Sequence, residues 1–422
     1  MRIAYLTQSY PPMVSGSAGV TEQLATELSK RGHPVLVIGA SDKDQPYLTL
    51  QKNLTVLRLG SIYNPLRVRQ RFLIYPRRAV LRALNEFQPD VIHAHEPLQI
   101  SWLGLEYAHR VSIPITMTAH QLPWFAASYL PDVFGIRPQV EIFLWMYARW
   151  LLGKFTTILA PTQTISTLIK QMTGLDSNVI SCGLDLQMFR PPLSSDDEAA
   201  IRQKWNLPPR LPLLLHVGRL DTDKSVDQVV RAAAQTIRES EAHLLIVGDG
   251  IQKSGLIKLC KLLGVVERVH FTGYVSLQNG LAEIYRIADV FVTASEIETQ
   301  GIVLLEAAAS GLPIVAVRAT CIPEIVYDRV NGYLTKAGDI HAMSESILKI
   351  LSDPGMAKSM GKASRALAEG HPNHATFEEH ERIYHKMVRD RGTQQTTARE
   401  REALPWKPIK ERFIWEFIDR FR

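Results

Sequence analysis

Glu298-Thr-Gln-Gly-Ile-Val-Leu-Leu-Glu306, running on into Ala-Ala-Ala-Ser-Gly-Leu-Pro-Ile-Val-Ala-Val317, sets two acids around a glycine that opens a helix. A buried strand, residues 313–317, follows. A helix start carries unpaired backbone N–H groups and the positive end of the helix dipole, which suits a phosphate. Gly301 lets that backbone approach a ligand closely. Glu298 lies before the helix and Glu306 about a turn and a half inside it, so the two carboxylates can reach opposite ends of one bound molecule. A ligand with a diphosphate centre and hydroxyl-rich ends fits this arrangement, and a nucleotide-sugar is such a ligand. For either acid taken alone, a solvated glutamate on an ordinary helix is the plainer reading.

Outward from this segment, short β-branched runs alternate with amphipathic helical stretches. Residues 2–6, 35–38, 91–93, 115–118 and 157–160 read as strands of one parallel sheet. Residues 213–217, 243–247, 269–271, 290–293 and 314–317 read as strands of a second. Runs apolar on both faces, with helices between them, argue for parallel sheets covered on both sides. The polar, proline-marked passage from Phe189 to Glu198 reads as a linker. The expected class is α/β, with two facing Rossmann-like domains and a deep cleft between them, because ligands of such sheets sit beyond the carboxyl ends of the strands. The expected division is an acceptor-side domain over 1–190 and a nucleotide-sugar-binding domain over 191–375. A terminal helix over 376–391 is expected to cross back to the first domain, followed over 392–422 by a linker and an amphipathic C-terminal helix.

At 422 residues the chain is long enough for two full cores. Its three cysteines, Cys182, Cys260 and Cys321, are scattered and form neither a disulfide framework nor a zinc pattern, so a reducing cytoplasm is expected. The opening Met1-Arg-Ile-Ala-Tyr-Leu6 reads as a strand and not as a signal peptide. The apolar stretch 142–152 is short, is broken by Arg149 and does not span a bilayer. Of the net charge of +6, much crowds into Arg67, Arg69, Arg71, Arg77, Arg78 and Arg82, interleaved with Phe72, Leu73, Ile74 and Tyr75. With no stacking platform, helix-turn-helix or zinc-finger pattern beside it, this segment suits a membrane surface better than nucleic acid. A solvated helix face is the plain alternative. In the tail, Ile409, Phe413, Phe417 and Phe421 recur at i, i+4 and predict an amphipathic helix. Docking on the protein's own surface, interfacial membrane binding and a dimer contact all stay open for it.

The Glu298–Glu306 segment resembles the signature of the retaining GT-B glycosyltransferases of family 4, and the resemblance runs from Met1 to about Arg391. It takes in the Tyr10-to-Gly16 loop, Arg31-Gly-His33, His93-Ala-His-Glu-Pro97 and Thr118-Ala-His120. It continues through Gly183-Leu-Asp, Gly218-Arg-Leu-Asp-Thr-Asp-Lys224, Val247-Gly-Asp-Gly250 and Phe271-Thr-Gly273. Each motif is weak singly; their order and spacing are specific.

The resemblance implies roles residue by residue. Arg219 and Lys224, at the end of a strand, neutralise the diphosphate leaving group. Glu306 binds the ribose hydroxyls, Glu298 those of the transferred sugar, and the amides of Gly301, Ile302 and Val303 meet the phosphates. Tyr274 lies at the base. Gly16 is the second glycine of the family's Gly-Gly loop, with Ser15 in place of the first. His120 meets the donor sugar near its reacting centre. Asp221 and Asp223 look like a metal-binding DxD but are read as loop residues; no metal and no cofactor are expected. His93 and His95 alternate on one strand and could chelate a metal, though no third ligand clusters with them. Glu96, at the same strand end, is a candidate acceptor contact.

The implied activity is retaining hexosyl transfer from a UDP- or GDP-linked sugar, without metal, through same-face attack in which the leaving phosphate oxygen takes the acceptor's proton. A membrane lipid such as diacylglycerol is the favoured acceptor, from the Val-Ser-Gly loop form, the arginine segment and an aromatic helix from Phe125 to Phe155. A soluble or polysaccharide acceptor is the alternative. A dinucleotide-dependent oxidoreductase would need a Gly-x-Gly-x-x-Gly turn, which neither Tyr10–Gly19 nor Val247–Gly250 supplies. A silent partner subunit is opposed by the complete set Arg219, Lys224, Glu298 and Glu306.

Overall fold

The computed structural model describes residues 1–43, 45–64, 68, 70–73, 76–123, 137–190 and 194–394. The first sheet contains β1 (Ile3–Leu6), β2 (Val35–Ala40), β3 (Tyr47–Gln51) and β4 (Leu54–Leu59). After a small hairpin of β5 (Ser61–Tyr63) and β6 (Arg71–Leu73), it gains β7 (Val91–Ala94), β8 (Ile115–Thr118), β9 (Thr157–Ala160) and β10 (Asn178–Val179). Its order is β10-β9-β8-β7-β1-β2-β4-β3, parallel except for the edge strand β3. The second sheet contains β11 (Leu213–Val217), β12 (His243–Val247), β13 (Val269–Gly273), β14 (Val290–Thr293), β15 (Ile314–Val317) and β16 (Gly332–Thr335), in the order β13-β12-β11-β14-β15-β16. In both sheets the order reverses beside the first strand, between β1 and β7 and between β11 and β14. These are the two switch points at which such sheets leave a crevice.

The alternation of side chains along the strands sorts the first domain's core into two layers. Ala4, Leu6, Leu36, Ile38, Ile92 and Met117 pack under helices α2 (Arg77–Phe87), α3 (Gln99–Val111), α4 (Arg137–Leu152) and α5 (Gln163–Thr173). Ile3, Tyr5, Val35, Val37 and Val91 pack on the other face under α1 (Gly16–Lys30). The second domain builds one larger core from α6 (Ser195–Lys204), α7 (Val226–Glu239), α8 (Lys253–Leu262), α9 (Leu281–Arg286), α10 (Ile302–Ser310), α11 (Ile340–Ser352) and α12 (Pro354–Ala368). The last described helix, α13 (Asn373–Gln394), returns to the first domain. There Phe377, Ile383, Tyr384 and Met387 complete the layer over Tyr5 and Leu24.

Four of the expected strands, 2–6, 35–38, 91–93 and 269–271, differ from the observed ones by one or two residues at an end. The strands β3, β4, β5, β6, β10 and β16 have no counterpart in the sequence reading. The expected aromatic helix is confined to α4 among the described residues; Phe155 lies beyond it and is buried, and Phe125 is outside the described residues. Arg67 and Arg69 and the tail from 395 onward also lie outside them. Of the other arginines, Arg71 donates to Ser61, Arg77 pairs with Glu106 and Arg82 with Glu86.

Candidate functional site: the cleft between the two switch points

The carboxyl ends of β11 and β14 open onto a cavity of about 330 Å³ that the first domain closes from the other side. Every residue expected to hold the donor lines it: Gly16 and His120 from the first domain, and Arg219, Lys224, Tyr274, Glu298, Gly301, Ile302, Val303 and Glu306 from the second.

The loop after β11 supplies the cations. A side chain on Gly248, at the end of β12, would place its Cβ 1.8 Å from the carbonyl oxygen of Gly218, so this close approach needs glycine. Lys224 Nζ lies 2.5 Å from Glu298 Oε1 and 3.4 Å from Ser295 Oγ. Arg219 pairs with Asp221 and, at 2.7 Å, with Asp223 Oδ2, and both aspartates are buried. They are therefore not plain loop residues, as the sequence suggested. A guanidinium drawn into a mostly buried loop needs carboxylate partners, and the acids two and four residues after Arg219 provide them.

The loop after β14 leads into α10 through Gly301, whose φ of 75° is left-handed and whose Cβ would meet Leu304 Cδ1 at 2.8 Å. The first amides of α10 thus border the cavity with no intrahelical acceptor. Glu306, one turn further on, is buried and accepts a hydrogen bond of 2.7 Å from the Tyr285 hydroxyl. Burial pushes its carboxyl up to about 7, against the opposing pull of that hydrogen bond. Tyr285, on α9, is absent from the sequence reading because nothing local ties it to Glu306, 21 residues on. Tyr274 follows β13 and stays exposed.

On the first-domain side, Ser15 is the N-cap of α1, its hydroxyl accepting from Ala18 N at 3.1 Å, and Gly16 is the first helical residue. A Cβ on Gly16 would stand 3.6 Å from Ile302 Cδ1, so the two helix starts face each other across the cleft. His120 follows β8; its carbonyl accepts from Thr299 Oγ1 at 3.3 Å, and its Nε2 lies 3.1 Å from His95 Nδ1. Burial brings the His120 imidazole down to about 4, so it is neutral. Both nitrogens of His93 are engaged, by Tyr384 at 2.6 Å and Thr118 at 2.7 Å, which rules against the chelating pair His93 and His95. Glu96 is buried and not at the cavity: it accepts from Gln8 N at 2.8 Å and Thr7 Oγ1 at 3.1 Å, pinning the loop after β1.

Further contacts join the domains. Glu324 caps α5 by accepting from Gln163 N at 3.1 Å and Thr164 N at 2.6 Å, and Gln300 Oε1 accepts from Cys182 N at 2.6 Å.

Residues 14–188 match the model of Glycosyltransferase Family 4, and residues 197–367 that of Glycosyl transferases group 1. A GDP-mannose-dependent alpha-mannosyltransferase of Mycobacterium tuberculosis is 31% identical over 360 residues, 84% of this chain and 89% of that one. The chain belongs to the family 4 glycosyltransferases. An alpha-monoglucosyldiacylglycerol synthase of Streptococcus pneumoniae is 28% identical over 354 residues, 83% of this chain and 78% of that protein. Among solved structures, sucrose-phosphate synthase from Thermosynechococcus elongatus superposes with a TM-score of 0.77 at 22% identity, over 92% of this chain and 99% of that one. The fold of this glycosyltransferase is GT-B, and its cavity lies between the switch points of the two domains.

Proposed function

We propose that this glycosyltransferase moves a hexosyl group, with retention, from a UDP- or GDP-linked sugar to a membrane lipid such as diacylglycerol, forming an α-glycolipid. The observation that carries the donor half is the arrangement in one cavity of Arg219, Lys224 and the start of α10 between the carboxylates of Glu298 and Glu306. In this reading the diphosphate sits against the cations and the α10 amides. Glu306 accepts from the ribose hydroxyls, Glu298 from those of the sugar, Tyr274 lies at the base, and the α1 start at Gly16 closes over the phosphates.

The acceptor hydroxyl attacks the anomeric carbon on the face the diphosphate leaves. The C–O bond to phosphate breaks as the new glycosidic bond forms, and the acceptor's proton passes to the departing phosphate oxygen. The protein contributes position and charge stabilisation. Metal independence belongs to the proposal, since Asp221 and Asp223, the pair that could hold a cation, are engaged with Arg219.

The lipid half is supported by an exposed apolar row on α4, Ile142, Phe143, Met146 and Trp150, beside Trp102 on α3. Arg149, on the same helix, is an exposed cation. The name of the pneumococcal relative points the same way. Among the described residues no helix is long and apolar enough to cross a membrane, so the proposed location is peripheral, on the cytoplasmic face. Incubating the protein and membranes with a panel of labelled UDP- and GDP-sugars tests the whole reading. Label entering the lipid phase supports it; label only in water-soluble product moves the acceptor to the soluble or polysaccharide class.

A further inference from the structure

His95 Nδ1 lies 3.1 Å from His120 Nε2. The ring centroids are 5.3 Å apart and the planes differ by 13°. That separation equals the N···N distance plus a ring radius at either end, so the imidazoles meet edge to edge. One of the two nitrogens must carry the proton of this hydrogen bond. Burial lowers both rings' proton affinity, that of His95 well below the ordinary imidazole value, so both are neutral. Each ring then has one N–H and one lone pair, and only two assignments exist.

The far nitrogen of His95 decides between them. His95 is fully buried, and its Nε2 meets no hydrogen-bond partner among the described residues. A proton placed there would be an orphaned buried N–H, which folded proteins avoid more strictly than an unused acceptor. The proton therefore sits on Nδ1 and is donated to His120 Nε2. His120 in turn carries its own proton on Nδ1. Its neighbours hold the His95 ring in this orientation: His93 stacks on it at 4.2 Å, Tyr5 tilts against it at 5.6 Å, and His93 is fixed by Tyr384 and Thr118.

We propose that His95 is a positioning residue that fixes the proton of His120 on Nδ1, so that His120 meets the bound donor with an N–H and not with a lone pair. The inference rests on the reading of the cavity as the donor site. It makes His120 a hydrogen-bond donor to an oxygen of the transferred sugar, and it removes His120 as the base for the acceptor hydroxyl. That fits a reaction in which the leaving phosphate oxygen takes the proton.

Proton–nitrogen correlation spectra of the full-length protein, labelled with ¹⁵N in the histidine rings and assigned by the signal that disappears in His120→Ala, read the tautomer directly. The expected result is His120 protonated on Nδ1 in the wild type. In His95→Phe the tautomer becomes mixed, and kcat falls about tenfold while donor KM changes little. His95→Asn, whose amide N–H replaces the imidazole N–H, restores most of both. A wild-type proton on His120 Nε2 overturns the proposal, and so does an equal loss of kcat in the Phe and Asn variants. Unchanged kcat in His120→Ala overturns the placement of His120 at the donor, and the spectra distinguish that failure from a wrong assignment at His95. Apart from His120→Ala, used for the assignment, the wild-type spectrum requires no variant to fold.

Discussion

Lys224 Nζ stands 2.5 Å from Glu298 Oε1, so the cation proposed for the diphosphate is neutralised by the acid proposed for the sugar. Arg219 is likewise held by Asp221 and Asp223. Two cations thus face three carboxylates, and the site carries no surplus of positive charge of its own. A donor bound as proposed would divide the first pair, drawing Lys224 to phosphate and Glu298 to hydroxyls, while the second stays intact and keeps Arg219 in place.

Lys224→Ala should therefore lower kcat by about a hundredfold or more, and donor affinity by much less, because charge on the leaving diphosphate grows toward the transition state. Glu298→Gln should also lower kcat but bind free UDP or GDP more tightly, since it leaves Lys224 without its carboxylate. Steady-state kinetics and nucleotide titration read the two effects separately. Equal loss in kcat and affinity for Lys224→Ala would reduce the lysine to a binding group.

The Arg219 cluster predicts a stability effect. Asp223→Ala leaves a mostly buried guanidinium short of a partner, a loss of about 1–3 kcal/mol, visible as a lower Tm. EDTA should leave wild-type turnover unchanged. Strong inhibition by EDTA that Mn²⁺ reverses would reassign Asp221 and Asp223 as metal ligands.

The strands whose ends open onto the cavity, β11 and β14, were legible because each is a short, mostly apolar run buried along its whole length, and that pattern does not depend on the partner strand. β4 escaped notice although all six of its residues are buried, because its run, Leu54-Thr-Val-Leu-Arg-Leu59, includes an arginine that sequence alone would place in solvent. The structure buries Arg58 against the carbonyls of Tyr10 and Ala40. At the site, residues at strand ends and helix starts could be located one by one. Partnerships could not: Tyr285 with Glu306 and His95 with His120 join different elements, and local sequence carries no trace of them. The arginine segment misled in part, because Arg77 and Arg82 are paired with acids while the exposed apolar row lies on α4.

A pH dependence follows from Glu306, whose carboxyl is pushed up to about 7 by burial. Between the usual carboxyl value and about 7, the folded chain holds this proton and the unfolded chain has released it. Stability is thus greatest below the usual value and falls as pH rises to about 7. Glu96, also pushed to about 7, adds to the same decline, and Glu96→Gln or Glu306→Gln should each flatten it. Donor binding should run the other way, because the ionised carboxylate accepts two hydroxyls. Donor KM should fall as pH rises through about 7, and in Glu306→Gln it should be higher and nearly flat. Removing the charge-assisted hydrogen bonds to ribose costs about 1.5–3 kcal/mol. Identical KM–pH profiles for wild type and Glu306→Gln would remove Glu306 from the donor site.

The membrane prediction rests on α4. Phe143 and Met146 are 67% and 65% exposed, a large apolar surface open to water for two residues on one helix face. Inserted at a bilayer surface, each buried side chain contributes about 1.5–3 kcal/mol, and each nearby arginine about 1 kcal/mol that salt screens. Liposome co-sedimentation should therefore require anionic lipid and weaken, without vanishing, as salt rises. Phe143→Glu with Met146→Glu should cut binding at least about tenfold, given those apolar contributions, and should leave Tm and turnover of a short-chain soluble acceptor intact, since neither side chain belongs to the core or the cleft. Undiminished liposome binding by the double variant would move the membrane contact to another part of the chain. No binding by wild type to liposomes of any composition would take away the main physical support for a lipid acceptor.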